Sequence, residues 1–326
     1  MKAIIPVAGS GTRLRPLTHS KPKALLRVGS KPILAHIIEG LIGIGCTDLI
    51  LIISSNGGKI PLYVRERYPD VRVETVIQEE QLGLGHAVSL TANLARDSEI
   101  IIVYGDTIIE GGLAGIVDRS CDGVIAVKEV ADPRRFGVVY LENGMISRFV
   151  EKPSKPESNL AIVGLNYIKN STALFDLLAE LIASRRKTRG EYQITDAFQL
   201  MVEHGLRLKP HTVEGWFDAG TQETLLETNS YMLKRDANCE SLPGSVIIPP
   251  VYIPDSAAIT HSIIGPDVSV GDNAVIERSI ISDSIIGSGA RISNACFTRS
   301  LIGDDAEVIE RPGKIIIGDN SSIDLE

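Results

Sequence analysis

The chain has 326 residues, 44% hydrophobic and 23% charged, which excludes disordered, collagen-like and low-complexity architectures and suggests about two globular domains. No apolar stretch approaches the ~18 residues of a membrane helix. Residues 1–8 read as a strand and not as a secretory leader, and Cys46, Cys121, Cys239 and Cys296 lie too far apart for a disulfide framework or a CxxC knuckle, so a cytoplasmic setting is expected. The net charge of −8 argues against nucleic acid and anionic membrane as partners. Met1–Ile38 nevertheless carries seven cations and no carboxylate. Such a segment either holds an anion or forms a solvated basic face, and its interleaved glycines and prolines favour a shaped loop.

In chain order, Lys2–Val7 is an apolar run leading into Ala8-Gly9-Ser10-Gly11, a buried strand that ends in a loop. Pro32–Ile44 has helical spacing and stops at Gly45. Leu49–Ile53 and Val71–Ile77 read as strands, His86–Ala95 as a helix, and Ile100–Tyr104 as a strand running into Gly105-Asp106. Val124–Val127, Val138–Leu141, Ile146–Val150 and Ala161–Ile168 are further strands. Ser171–Ser184 is an amphipathic helix with Ser171 as its expected N-cap, and Thr195–His204 and Thr221–Arg235 are helices. Strands alternating with helices predict an α/β domain over 1–240, built on a largely parallel sheet. Such sheets take ligands beyond the carboxyl ends of their strands, where the glycine loop and Asp106 lie.

The texture changes near residue 240. Ser241–Pro250 reads as a linker, and Ser-(Ile/Leu)-Ile-Gly then recurs at 262–265, 284–287 and 300–303. Aliphatic residues return every six positions, as in Ile264, Val270 and Ile276. That period predicts a hexapeptide β-solenoid over 241–326, with coils of about 18 residues. An isoleucine-rich sandwich would alternate at period two instead.

Gly9-Ser10-Gly11-Thr12-Arg13 is not a dinucleotide fingerprint, because Leu14 stands where GxGxxG needs glycine, and no GxxxxGK[ST] occurs. Its glycines let backbone N–H groups approach phosphate oxygens. Arg13 can fork onto a phosphate and Lys23 can act as a mobile point charge. Pro16 and Pro22 stiffen the loop.

The run VAGSGTRLRPLTHSKPKALL resembles the signature of the sugar-1-phosphate nucleotidyltransferases, also called nucleoside-diphosphate-sugar pyrophosphorylases. The resemblance continues in order through Gln78 and Leu82–Ala87, Gly105-Asp106, Phe136–Val139, Glu151-Lys152-Pro153, Ile162 with Gly164, and Trp216–Thr221. It covers residues 1–235, and the repeat tail is similar to the left-handed β-helix that many members append. The PVAG and GLGHA forms resemble uridylyltransferases, whereas GTRLRPLT resembles thymidylyltransferases. The family's loop often begins Gly-Gly, where Ala8 stands here, and its GD is often followed by Asn, where Thr107 stands.

The resemblance implies a Rossmann-like catalytic domain, a Mg²⁺ cofactor, and a reaction between a nucleoside triphosphate and a sugar 1-phosphate, with dTTP and glucose 1-phosphate first, UTP second and GTP with mannose 1-phosphate third. A non-catalytic subunit is the alternative from another class. Ala8, Gly9, Ser10, Gly11, Thr12, Arg13, Gln78, Gly83 and Asp106 would bind the nucleotide, with Arg13 and Lys23 catalytic. Gly137, Glu151, Lys152, Ile162, Gly164 and Asn166 would bind the sugar phosphate, and Asp106 with Asp218 would hold the metal. Plainer readings stand beside these. Asp218 could cap the helix near Thr221, Gln78 could be a surface residue, and Gly83 could simply open a helix. Glu151 and Lys152 could be an exposed ion pair, His86 a structural histidine, and Thr195 or Asp196 a helix cap. A homo-oligomer is expected, because stacked coils leave an apolar open end.

Overall fold

The computed structural model describes residues 1–309 apart from 112 and 240, and the chain forms two compact units. The first takes Met1–Leu26 and Lys31–Leu225, and the second takes Arg27–Ser30 and the chain from Leu226 onward. The elements begin with β1 (Lys2–Pro6), β2 (Arg27–Val28), β3 (Lys31–Pro32), α1 (Ile33–Gly43), β4 (Asp48–Ile53), α2 (Lys59–Arg67) and β5 (Arg72–Ile77). They continue with α3 (Leu84–Ser89), α4 (Ala92–Ala95), β6 (Ile100–Val103), β7 (Thr107–Glu110), β8 (Gly123–Glu129), β9 (Gly137–Glu142), β10 (Met145–Glu151) and β11 (Leu160–Ile168). After these come α5 (Ser171–Ala183), α6 (Ile194–Glu203), β12 (Leu208–Thr212), β13 (Gly215–Asp218) and α7 (Gln222–Asp236).

Unbroken apolar runs become the central strands, and every residue of β6 is buried. The nine-stranded sheet follows the path β10-β9-β11-β6-β1-β4-β5, with β8 beside β11 and β12 beside β8. Strands β6, β1, β4 and β5 run parallel, which gives the expected Rossmann-like core. β11 runs antiparallel to β6, β8 and β9, so the sheet is mixed. The register that sets Ile4 beside Ile50 and Ile102 puts all three in one cluster with Val88, Leu174 and Phe198 from α3, α5 and α6.

The structure corrects several local expectations. The helix predicted over His86–Ala95 is two helices, separated where the buried Thr91 hydroxyl donates to the Val88 carbonyl. The cap of α5 is Asn170, whose side chain accepts from Ala173 N, whereas Ser171 turns inward and donates to the Ala95 carbonyl. Helix α2 and strands β7, β12 and β13 had no periodic signal in the sequence.

The second unit carries the left-handed β-helix, as twelve short strands β14 to β25 between Val246 and Ile309. They form three parallel sheets of four strands: Val246–Ile247, Ile263–Ile264, Ile280–Ser282 and Cys296–Thr298; Val251–Tyr252, Val268–Val270, Ser284–Ile286 and Leu301–Ile302; and Ala258–Thr260, Val275–Glu277, Arg291–Ser293 and Glu307–Ile309. The stretch from 310 to 326 lies outside the described residues. The sixth-residue aliphatics point inward and stack, as in the ladder of Ile259, Ile276, Ile292 and Val308. These offsets are 17 residues and then 16, shorter than the expected 18. The corners are tight because residues such as Asp267, Asn273 and Asn294 adopt positive φ. Serines at or beside the corners tie the rungs: Ser262 and Ser279 side chains accept from Ser279 N and Ala295 N, and Ser284, the first residue of its strand, accepts from Ser300 N. The recurring serine therefore satisfies backbone groups that a corner would otherwise strand.

Adjacent rungs come so close that a Cβ at Gly287 would lie 2.4 Å from the Gly303 carbonyl carbon. Gly287→Ala is expected to destabilise the protein by about 1–3 kcal/mol, read from the urea midpoint. An unchanged midpoint would contradict this stacking.

Candidate active site

Several segments of the first unit converge beyond the carboxyl ends of β1 and β6. The chain leaving β1 stays in register through Val7, whose N–H donates to Ile52, and then opens into the glycine loop. Two side chains fix that loop: Thr18 Oγ1 donates to Gly11 O at 2.8 Å, and Gln81 Nε2 donates to Ala8 O at 2.8 Å. Thr12 and Arg13 follow in a short 3₁₀ turn and are exposed. A later 3₁₀ turn, Lys23–Leu25, carries Lys23.

From β6 the chain passes through Gly105, whose N–H donates to Pro6 O, to Asp106. Antiparallel pairing of β13 with β7 sets Asp218 opposite Thr107, and Ala219 N donates to Asp106 O at 3.1 Å. A two-stranded ladder therefore brings together two carboxylates distant in sequence. Lys23 Nζ donates to Asp106 Oδ2 at 2.6 Å. Burial first, then the Asp106 charge, pushes the Asp218 carboxyl above the ordinary range, against the pull of Lys23, Arg135 and Arg13. Asp218 is not the cap of α7, because Thr221 Oγ1 accepts from Thr224 N there.

Two cavities meet at this centre. The first, about 320 Å³, is lined by Ala8, Gly9, Lys23, Gln78, Gln81 and Gly83 among others. The second, about 310 Å³, is lined by Gly137, Glu151, Lys152, Ile162, Trp216 and Asp218 among others. Leu84, Tyr104 and Asp106 line both. Gln78 is buried, and its Nε2 lies 3.3 Å from the Gly83 carbonyl and 3.4 Å from His86 Nδ1. Burial lowers the His86 pKa, which favours the neutral ring.

In the second cavity Glu151 is not an exposed ion-pair partner, since its side chain is only 8% exposed. Its Oε2 accepts from Thr195 Oγ1 at 3.0 Å and its Oε1 lies 3.2 Å from Lys152 Nζ. Thr195 thus serves Glu151 and caps no helix; α6 begins after Gln193 without a side-chain cap bond. Trp216 meets Phe136 edge to face at 4.7 Å.

Gly164 and Asn166 do not line either cavity. Gly164 sits at φ +83°, and a Cβ there would fall 2.5 Å from the Tyr104 ring, so it makes room for the tyrosine on the shared wall. Asn166 is fully buried in β11, with its amide beside the Tyr104 hydroxyl. Sequence reasoning missed Gln81, Tyr104, Thr195 and Arg135. The Arg-Arg pair offered a signal only in hindsight: Arg134 forks onto Asp132 at 2.8 and 2.7 Å, while Arg135 lines the second cavity with Asp218.

Among the described residues no cluster of three or more His, Cys, Asp or Glu side chains is suited to a metal ion. Asp106 and Asp218 supply two hard oxygen donors beside a cavity, a partial set that fits a Mg²⁺-like ion sharing phosphate and water oxygens. No helix among the described residues is long and apolar enough to cross a membrane.

A raised pKa in the folded chain means that Asp218 subtracts stability as pH rises above 3.8 and through its folded value. Without divalent cations, Asp218→Asn is expected to raise Tm by about 1–4 °C at neutral pH, and the gain should vanish in acid. Thermal melts across pH check this, and a variant no more stable at neutral pH contradicts it.

The nucleotidyl transferase family model matches residues 2–235. A glucose-1-phosphate thymidylyltransferase of Streptomyces antibioticus is 31% identical over 307 residues, covering 91% of this chain and 83% of that one. The low-salt glycan biosynthesis nucleotidyltransferase Agl11 of Haloferax volcanii is 34% identical over 72% of this chain, and the match spans 66% of that relative. The UTP–glucose-1-phosphate uridylyltransferase AglF of the same organism is 33% identical over 68% of this chain and 93% of its own. Matches to the bifunctional protein GlmU of Methanococcus maripaludis span 60% of that protein's length. Among solved structures, a putative glucose-1-phosphate thymidylyltransferase from Bacillus anthracis superposes with a TM-score of 0.64 at 27% identity, over 74% of this chain and 98% of that one. With this match over most of its length, the chain belongs to the nucleotidyl transferase family.

Proposed function

We propose that this chain transfers a nucleotidyl group from a nucleoside triphosphate to a sugar 1-phosphate, releasing pyrophosphate. The observation that carries the reading is the Asp106–Asp218–Lys23 centre on the border of two cavities, one holding a buried amide and the other a buried carboxylate. Two polyanionic reactants meeting end to end need that layout.

An anionic oxygen of the sugar phosphate attacks the α-phosphorus of the nucleotide. The new P–O bond forms as the bond to the β-phosphate breaks, and the electron pair leaves with pyrophosphate. No proton has to move, so no general base is required, and catalysis is positioning plus charge neutralisation. Lys23 and Arg13 offset the charge of the reacting and leaving phosphates. Asp106 and Asp218 would hold Mg²⁺, which supplies Lewis-acid neutralisation of phosphate oxygens when bound. Gln78, with its Nε2 turned to Gly83 and His86, presents Oε1 to the ring N–H of a pyrimidine. Apolar Leu84 and Ala87 line the same cavity and accommodate a C5 methyl, which favours dTTP. Glu151 accepts from neighbouring sugar hydroxyls, Lys152 reaches the sugar phosphate, and Trp216 walls the ring. Glucose 1-phosphate with dTTP is the first assignment. UTP is the second, favoured by the match to a uridylyltransferase over 93% of that relative's length.

With Mg²⁺ present, a panel of dTTP, UTP and GTP against glucose and mannose 1-phosphates should show pyrophosphate release highest for dTTP with glucose 1-phosphate. Release with none of the pairs would end the proposal. Arg13→Ala and Asp106→Ala should each lower kcat about 10²–10³-fold with unchanged far-UV circular dichroism. Full turnover in both would exclude these residues from the chemistry.

A further inference from the structure

The second cavity carries a charge imbalance. Asp106, Glu151 and Asp218 line it against only two cations, Arg135 and Lys152. Lys152 Nζ lies 3.2 Å from Glu151 Oε1, so its charge is already shared. Arg135 is exposed, and among the described residues no hydrogen bond or ion pair holds its guanidinium. Its neighbour Arg134 occupies the adjacent carboxylate, forking onto Asp132 at 2.8 and 2.7 Å. The Arg135 charge reaches the reaction centre instead. Burial and the Asp106 charge raise the Asp218 carboxyl, and Arg135 is one of three cations that oppose them.

The backbone that carries Arg135 is fixed. Arg135 ends the 3₁₀ turn Pro133–Arg135, which Asp132 caps by accepting from Arg134 N. Phe136 N donates to Pro133 O at 3.0 Å, and Lys152 N donates to Phe136 O at 3.0 Å. Gly137 then pairs with Glu151 across the β9–β10 ladder, where a Cβ would lie 2.9 Å from Glu151 Oε2. The stem is therefore set beside the sugar pocket while the head is unengaged, the arrangement of a side chain that its ligand orders.

A phosphate monoester brings about two negative charges to walls that already hold three carboxylates. It also brings three equivalent terminal oxygens, of which one attacks. We propose that Arg135 is a further catalytic residue, which closes on the phosphate of the sugar 1-phosphate, forks across two of its terminal oxygens and leaves the third to attack. The assignment rests on the proposed transfer. The planar fork of a guanidinium matches two phosphate oxygens, which the ammonium of a lysine does not. Arg135 gives up no proton and forms no bond to phosphorus; the bonds made and broken are those of the transfer. It holds the attacking oxygen in line and offsets the charge that keeps the two reactants apart.

The test uses the full chain with Mg²⁺ and the nucleotide and sugar 1-phosphate pair that the parent turns over fastest. Arg135→Gln should raise KM for the sugar phosphate about tenfold and lower kcat about tenfold, with KM for the nucleotide within about twofold of the parent and far-UV circular dichroism unchanged. Arg135→Lys should recover that KM but not kcat, because the charge returns without the fork. Arg134→Gln removes the same charge one residue away and should match the parent. Parent-like kinetics in Arg135→Gln overturn the proposal. So does a nucleotide KM that rises in step with that of the sugar phosphate, since Arg135 would then serve the triphosphate. Full recovery of kcat in Arg135→Lys, or an equal loss in Arg134→Gln, would mark a diffuse field and overturns it as well. In calorimetric titrations with glucose 1-phosphate and no nucleotide, Arg135→Gln should bind about tenfold more weakly than the parent, and equal affinity again overturns the proposal. Glucose 1-phosphate binding that depends on Arg135 in a protein that transfers no nucleotidyl group would defeat the earlier reading and leave this contact standing.

Discussion

The first unit is organised around the cost of keeping two carboxylates next to each other. Asp106 and Asp218 repel, and burial makes the repulsion more expensive for Asp218. The β7–β13 ladder holds them together anyway, and Lys23, at 2.6 Å from Asp106, supplies the compensating charge. Lys23 keeps that position because its 3₁₀ turn packs beneath the glycine loop, which Thr18 and Gln81 hold by their hydrogen bonds. Two like charges are thus held close in the first unit, with Lys23 partly offsetting them.

Much of this was legible in the sequence because it is written in local chemistry. An apolar run followed by glycines marks a buried strand and an open loop. The sixth-residue aliphatics fix the β-helix because each coil must bury one residue per side. Partnership across long sequence distances was not legible. Nothing near Thr195 announces that its hydroxyl goes to Glu151, and the Gln81 bond to Ala8 spans 73 positions. β7 and β13 are short and pair only with each other, so neither has the apolar run that marks a core strand. The cap of α5 lies one residue before Ser171 for a similar reason: Ser171 has good capping chemistry, but the Ala95 carbonyl claims its hydroxyl.

The β-helix makes the complementary point. Its period was read from the aliphatics, yet its shorter coils come from the corners. Residues such as Asp283 and Arg299 take positive φ to turn the chain in fewer residues, and stacked serines replace the backbone partners that the corners lose. Inward-facing residues thus specify the architecture, and polar corners set its dimensions.

The common wall of Leu84, Tyr104 and Asp106 has an evolutionary consequence. Mutations there act on both compartments at once and are constrained twice over, whereas residues around Gln78 and residues around Trp216 each face one compartment alone. On the proposed function, one recognition half can therefore change in a lineage while the other stays fixed.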